Sequence, residues 1–338
     1  TAYGALAAPF ELLRALPGIS VACATAIKAT SVAQGERVLR DVEGHGGTCL
    51  VLGDAAYPSI LSEIPEPPAV LFALGRLELL DRLAVAVVGS RNHSPYGGDA
   101  CRMVVQAAVD AGLCVVSGMA RGLDAVAHLA ALDTGGETIG VLGNGFGVIY
   151  PAANRVLYER MRREGLLLTE FPPGDRPTAG SFQRRNRLIS GLARVTVVVE
   201  AAAGSGTLIT VDAALSQGRD VMVVPGAITS ATSVGTNRLL RDGATPFLEA
   251  ADLLAAFPEV RPPRTPKGAS APPDDSPPAL PLTLFERRVF QTLDRTPRHL
   301  DALIEVVGVP AAELLPALSS LELYGIARQE PGRRFLRT

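Results

Sequence analysis

The stretch RVTVVVEAAAGSGTLITVDAALSQGRDVMVVPG, residues 194–226, decides the fold. Two unbroken apolar runs rich in valine flank a glycine-rich turn and an amphipathic segment. A continuous apolar run of this length is what a parallel sheet buries on both faces. Strand, helix and strand in that order make a βαβ unit.

The same alternation extends upstream. AVAVVGS (84–90), CVVSG (114–118), ETIGVLG (137–143) and LLLTEF (166–171) read as further strands. Between them GGDACRMVVQAAVDAG, GLDAVAHLAALDTGG and NRVLYERMRREG read as helices. The repetition predicts a doubly wound α/β domain.

The flanks differ from this core. Residues 258–281 hold nine prolines in twenty-four positions, too many for a helix or central strand, so they read as a tether. Beyond it, three short amphipathic segments and a hairpin pattern turning at Pro331-Gly332 predict a winged helix. At the other end, LLRALPGISVACATAIKA sets Pro17-Gly18 between two helix-like segments. That pattern fits a helix-hairpin-helix or an ordinary helical turn, and YPSILSEIPEPPAVLFALG predicts an edge strand leading into the sheet. The expected domains are therefore 1–44 (small, helical, helix-hairpin-helix or SAM-like), 45–257 (α/β), 258–281 (linker) and 282–338 (winged helix).

Composition narrows the function. With no run of about 18 apolar residues and no basic, cleavable leader pattern at the start, the chain reads as soluble, cytoplasmic and without a membrane partner. The four cysteines share no CxxC spacing and the four histidines are dispersed, so no metal site and no cofactor are expected. The formal net charge is only −2, yet residues 176–199 carry five arginines and no acid. Three of those arginines stand in FQRRNRLISG, 182–191.

In an open parallel sheet, ligands bind beyond the carboxyl ends of the strands. Those ends here carry Gly89-Ser90-Arg91, Ser117-Gly118-Met119-Ala120-Arg121-Gly122, Gly143-Asn144-Gly145 and Ala203-Gly204-Ser205-Gly206-Thr207. Small residues let backbone amides approach an anion, and the following helix N-terminus adds positive potential. Arg91 and Arg121 project from two such loops towards the rim expected for 182–187, and several guanidinium groups on one rim suit a run of phosphates. Phe182 could stack a splayed base or close the core as a lid. Asn186 and Glu200 could read a base edge, or serve as a helix cap and a strand-end charge. Asp124 and His128, one helical turn apart, are expected to support the loop carrying Arg121.

Several chemistries lack their motifs. There is no G-x-x-x-x-G-K-[ST], no G-x-S-x-G and no complete dinucleotide fingerprint, and no catalytic residue is assigned.

In order along the chain, VVGSR, SGMARGLDAVAH, YPAAN, TEFPPG, FQRRNRLISGL, VVEAAAGSGTLIT, GRDVMVVPG and GTNRLLRDGA resemble the DNA-processing protein A (DprA/Smf) family over about two hundred residues. The resemblance implies an extended Rossmann-like, mostly parallel sheet that binds single-stranded DNA, forms a homodimer and loads the RecA recombinase in transformation and recombination. It implies as binding residues Ser90, Arg91, Gly118, Arg121, Gly122, Phe182, Arg185, Asn186 and Arg187, to which the glycine-rich loop adds Gly204, Ser205, Gly206 and Thr207. Arg184 lies where the family is less constrained. AGSGT is also similar to the GGxGTxxE loop of Rossmann-like nucleotide phosphoribohydrolases, but Thr210 occupies the place of their glutamate, which removes the expected acid–base group. A duplex-DNA regulator acting through the winged helix is a third reading, and it leaves the central loops unexplained.

Overall fold

The computed structural model describes residues 2–260, 282–294, 297–330 and 332–337. The chain divides into two compact units, residues 1–263 and 264–338. From residue 261 on, the expected tether lies outside the described residues, as does Pro331 of the expected hairpin turn.

The first unit opens with α1 (Ala2–Ala7), α2 (Phe10–Arg14), α3 (Val21–Ala29) and α4 (Val32–Gly44). The Pro17-Gly18 turn sits between α2 and α3, where Gly18 takes φ +82° and Ser20 caps α3 by accepting from Cys23 N at 3.1 Å. Val42 of α4 is buried with Phe72 and Leu74, so this helix shares the core of the sheet rather than standing apart.

Nine strands form one sheet: β1 (Thr48–Val51), β2 (Val70–Gly75), β3 (Ala84–Val88), β4 (Cys114–Ser117), β5 (Thr138–Val141), β6 (Leu166–Thr169), β7 (Val195–Val198), β8 (Asp220–Val223) and β9 (Thr245–Pro246). Their order is β1-β2-β6-β5-β4-β3-β7-β8-β9. Every pairing from β6 across to β9 is parallel, while β1–β2 and β2–β6 are antiparallel. The sheet is thus mostly parallel and doubly wound, with β1 and β2 as an antiparallel extension at one side. The VLFALG segment expected as an edge strand is β2, which lies second, between β1 and β6; Thr48–Val51 takes the edge.

The helices follow the strand pleat. Residues alternate faces along a strand: Val85 and Val87 of β3 pack under α6 (Pro95–Asp110) and α7 (Leu123–Asp133), while Ala84, Ala86 and Val88 face the opposite layer. That layer holds α5 (Ser59–Ser62), α9 (Ala179–Gly191) and α10 (Thr207–Ser216), contributing Leu61, Leu188, Ile189 and Val211. Between these, α8 (Arg155–Glu164) covers β5 and β6 on the α7 side. The first unit closes with α11 (Val234–Arg241) and α12 (Ala250–Ala255).

Cys101 and Cys114 are fully buried, and burial pushes the Cys101 thiol up to about 12 and the Cys114 thiol higher still. Cys23 is exposed and Cys49 half-buried.

The second unit carries α13 (Leu284–Thr292), β10 (Arg298–His299), α14 (Leu300–Val307), α15 (Ala311–Leu323), β11 (Ala327–Glu330) and β12 (Arg334–Arg337), with a sheet ordered β10-β12-β11. Three helices and a terminal hairpin make the winged helix that the pattern predicts. The short β10 is an addition to it. No single helix among the described residues is long and apolar enough to cross a membrane.

The basic stretch 182–191 is not an irregular rim segment. It forms most of α9. Thr178 caps that helix reciprocally, Thr178 Oγ1 accepting from Ser181 N at 3.1 Å and Ser181 Oγ accepting from Thr178 N at 2.9 Å, and the Ser181 hydroxyl then donates to Gly143 O at 2.6 Å. Replacing Thr178 with alanine removes one capping bond. Stability should fall by about 1 kcal/mol, read as a lower urea midpoint at unchanged slope.

Candidate nucleic-acid interface

The chain runs from β3 through α6 towards β4, and from β7 through α10 towards β8, in opposite directions from two adjacent strands. Such a switch leaves a crevice at the carboxyl ends. The loop after β3 and the loop after β7 border it.

Two adjoining cavities occupy that crevice. One, of about 400 Å³, lies over the switch and is lined by residues 88–92, by Phe182, Arg185 and Asn186 of α9, and by Ser205, Gly206 and Thr207. The other, of about 290 Å³, lies over β4 and β5, between the Gly118–Arg121 loop, Gly143-Asn144 and Tyr150-Pro151. Arg91, Ala120, Phe182 and Arg185 line both.

Phe182 forms the partition. Its ring lies against the Gly143 backbone, where an added Cβ would come within 2.7 Å of Phe182 Cδ1. The Arg91 guanidinium stands 5.5 Å from the ring centroid, and the Tyr150 ring 5.5 Å away at a tilt of 37°. Tyr150 is 48% exposed. One cavity therefore offers aromatic faces and the other offers backbone amides, hydroxyls and the start of α10.

Backbone geometry welds the loops together. Gly122 precedes α7 with φ +81°, and a Cβ there would run into Ser90 O and Arg91 O. Leu123 N donates to Ser90 O at 3.1 Å, so the Arg121 loop rides on the Arg91 loop. Asn154 Nδ2 donates to Met119 O at 3.0 Å and Ala120 O at 3.1 Å, fixing the same loop from its other side.

Residues 48–258 match the family of the DNA recombination-mediator protein A. The chain belongs to this family. Residues 271–333 match the DprA winged helix domain. The Smf protein of Synechocystis is 35% identical over 318 residues, covering 84% of this chain and 78% of its own. The solved DNA processing protein A of Streptococcus pneumoniae superposes with a TM-score of 0.67 at 36% identity, over 75% of this chain and 89% of that one. DNA processing protein A of Helicobacter pylori, solved for its single-stranded DNA binding mode, gives a TM-score of 0.57 at 28% identity, over 63% of this chain and 96% of that one.

Set on this recombination-mediator fold, the expected binding residues separate into groups. Ser90, Arg91, Gly118, Arg121, Phe182, Arg185, Asn186, Ser205, Gly206 and Thr207 line one or both cavities. Gly122 and Gly204 do not line them; Gly122 instead packs the two arginine loops. Arg187 also lies elsewhere, because on a helix of 100° per residue it points well away from the face shared by Phe182, Arg185, Asn186 and Ile189. It is bound at 2.7 Å to Glu170, whose side chain is 5% exposed, and the neighbouring Arg184 joins the same carboxylate at 3.2 Å. Two of the three arginines in FQRRNRLISG thus neutralise a buried acid behind the helix.

Arg185 is in the crevice but is 3% exposed, a floor rather than a rim. Glu200 is not free to read a base. It is 1% exposed, accepting from Ser94 N at 2.9 Å, Ser94 Oγ at 2.5 Å and Thr232 Oγ1 at 3.0 Å. Tyr150, Met119 and Asn154 enter the site without having been singled out for it. The YPAAN stretch was visible, but nothing in its spacing places it beside Phe182.

Asp124 Oδ2 accepts from Ala120 N at 3.3 Å, which is the loop support expected of it. His128 lies one turn below, its Nδ1 2.7 Å from Thr138 Oγ1. Because the Thr138 hydroxyl donates to Val115 O at 2.8 Å, its oxygen must accept, and His128 carries its proton on Nδ1. Burial, reinforced by the Arg185 charge, pushes this imidazole down to about 3. The unfolded chain binds a proton near pH 6.5 that the folded chain refuses, so His128 costs nothing above that pH. As pH falls from about 6.5 towards 3 it removes up to about 1.4 kcal/mol of stability per pH unit. Urea titrations at pH 7, 6 and 5 should show a shallower decline for His128→Gln than for the native chain.

Proposed function

We propose that this chain binds single-stranded DNA in the two cavities, seating a base against Phe182 and Tyr150 and its phosphate against the 88–92 and 205–207 loops. The observation that carries this reading is the pairing of an aromatic cavity with an amide-lined one, joined through Arg91 and Phe182. A base enters the narrower cavity only when it is unstacked and unpaired, which favours single strands over duplex. The single-stranded DNA binding of the Helicobacter pylori relative supports it.

Membership of a recombination-mediator family supports the wider role: a homodimer that protects exposed strands and hands them to the RecA recombinase, acting by binding and not by catalysis. Thr210, 2% exposed inside α10, offers no acid–base group at the position where the similar hydrolase loop has its glutamate.

An anisotropy titration with single-stranded and duplex oligonucleotides of equal length, without nucleotide or metal, tests the reading. Strong preference for the single strand is expected, and equal affinity for duplex overturns it. Arg91→Ala should weaken binding to all sequences and flatten the slope of log K against log salt by about 0.7, the loss of one phosphate contact.

A further inference from the structure

Arginine is among the side chains least often buried, and one held at 3% exposure beneath a binding crevice needs an explanation. Arg185 Nη1 donates to Gly118 O and to Val141 O. Val141 ends β5, and Gly118 directly follows the last residue of β4, so one guanidinium clasps the carboxyl ends of two adjacent strands. Its Nε reaches Asn186 Oδ1 at 3.3 Å. From the other side comes Asp124: a Cβ placed on Gly118 would lie 2.6 Å from Asp124 Oδ2 and 2.7 Å from Arg185 Nη1. Two opposite charges therefore converge on one glycine. The next residue, Met119, holds φ +56°, a conformation that a side chain with a Cβ rarely takes, and Arg121 follows two positions on.

The groups facing Arg185 are Asp124 and His128 from α7 and Arg91 from the loop after β3. His128 is neutral, so among the described residues Asp124 is the counter-charge to Arg185. Burial and the Arg91 charge pull the Arg185 guanidinium down to about 10 while Asp124 holds it up, which leaves it protonated at neutral pH.

We propose that Arg185 is a positioning residue. Paired with Asp124, it clasps the ends of β4 and β5 and fixes the Gly118–Gly122 loop in the shape that presents Arg121 to the strand, without itself neutralising a phosphate. The inference rests on the single-strand reading above.

Salt dependence in an Arg121→Ala background separates positioning from contact. A residue that neutralises a phosphate releases a counterion, and its loss lowers the slope; a residue that acts by presenting Arg121 lowers the slope only while Arg121 is there to be presented. Anisotropy with an oligo-dT strand across a salt series should find Arg185→Met about tenfold or more weaker in the native chain, while adding it to Arg121→Ala leaves the slope of Arg121→Ala unchanged. A slope about 0.7 lower in Arg121→Ala/Arg185→Met than in Arg121→Ala overturns the proposal. Asp124→Asn gives an opposite sign for the two roles: weaker binding if the pair sets the loop, tighter binding if Asp124 merely competes with phosphate for Arg185, which overturns it. Should Arg185→Met fail to fold, the Asp124→Asn result decides. If the native chain binds no single strand, the functional reading falls by itself. Amide exchange then judges the clasp: faster exchange over residues 118–122 in Arg185→Lys upholds it, and unchanged exchange overturns it.

Discussion

Everything at the crevice depends on the parallel pairing of β3 with β7, from whose ends the chain departs in opposite directions. That divergence cannot be filled by either connection. It leaves backbone groups at two strand ends facing a gap, and the glycines around it keep those groups accessible. The remaining site is a set of attachments to this gap. Gly122 rides on Ser90 and Arg91, Ser181 ties α9 to Gly143, and Asn154 pins the loop beyond β4.

Charge in the site is divided by burial rather than by sequence proximity. Positions two apart on α9 send Arg185 into the crevice floor and Arg187 to a buried carboxylate behind the helix. The exposed cations at the crevice are Arg91 and Arg121, both on loops. Two exposed arginines on loops thus stand over a buried floor that Arg185 ties to the strand ends.

Much of this was legible in the sequence. Six unbroken apolar runs gave six of the seven parallel strands in their order of appearance, because a strand buried on both faces has no polar alternation to obscure it; the two-residue, exposed β9 leaves no such run. The winged helix was equally plain. What the pattern could not carry was orientation. In FQRRNRLISG the apolar positions are too few to mark a helix period before Leu188, so the arginines looked like one cluster, and only the helix separates 185 from 184 and 187. The antiparallel edge was half visible, as VLFALG; its partner β1 is a four-residue run with one buried residue and leaves little trace. Glu200 looked like a solvent charge at a strand end because its partners, Ser94 and Thr232, lie more than thirty residues away on either side.

The four thiols divide along the same line of burial. Cys101 and Cys114 sit where the core holds their protons firmly in place, and a thiol reacts as its thiolate. Cys23 lies at the surface of an N-terminal helix. An alkylating reagent therefore meets a chain with one open address at Cys23, one half-covered at Cys49 and two sealed ones, and the sealed pair can be marked only once the layers on the sheet have parted. Thiol chemistry in this protein keeps a record of when its interior has been open.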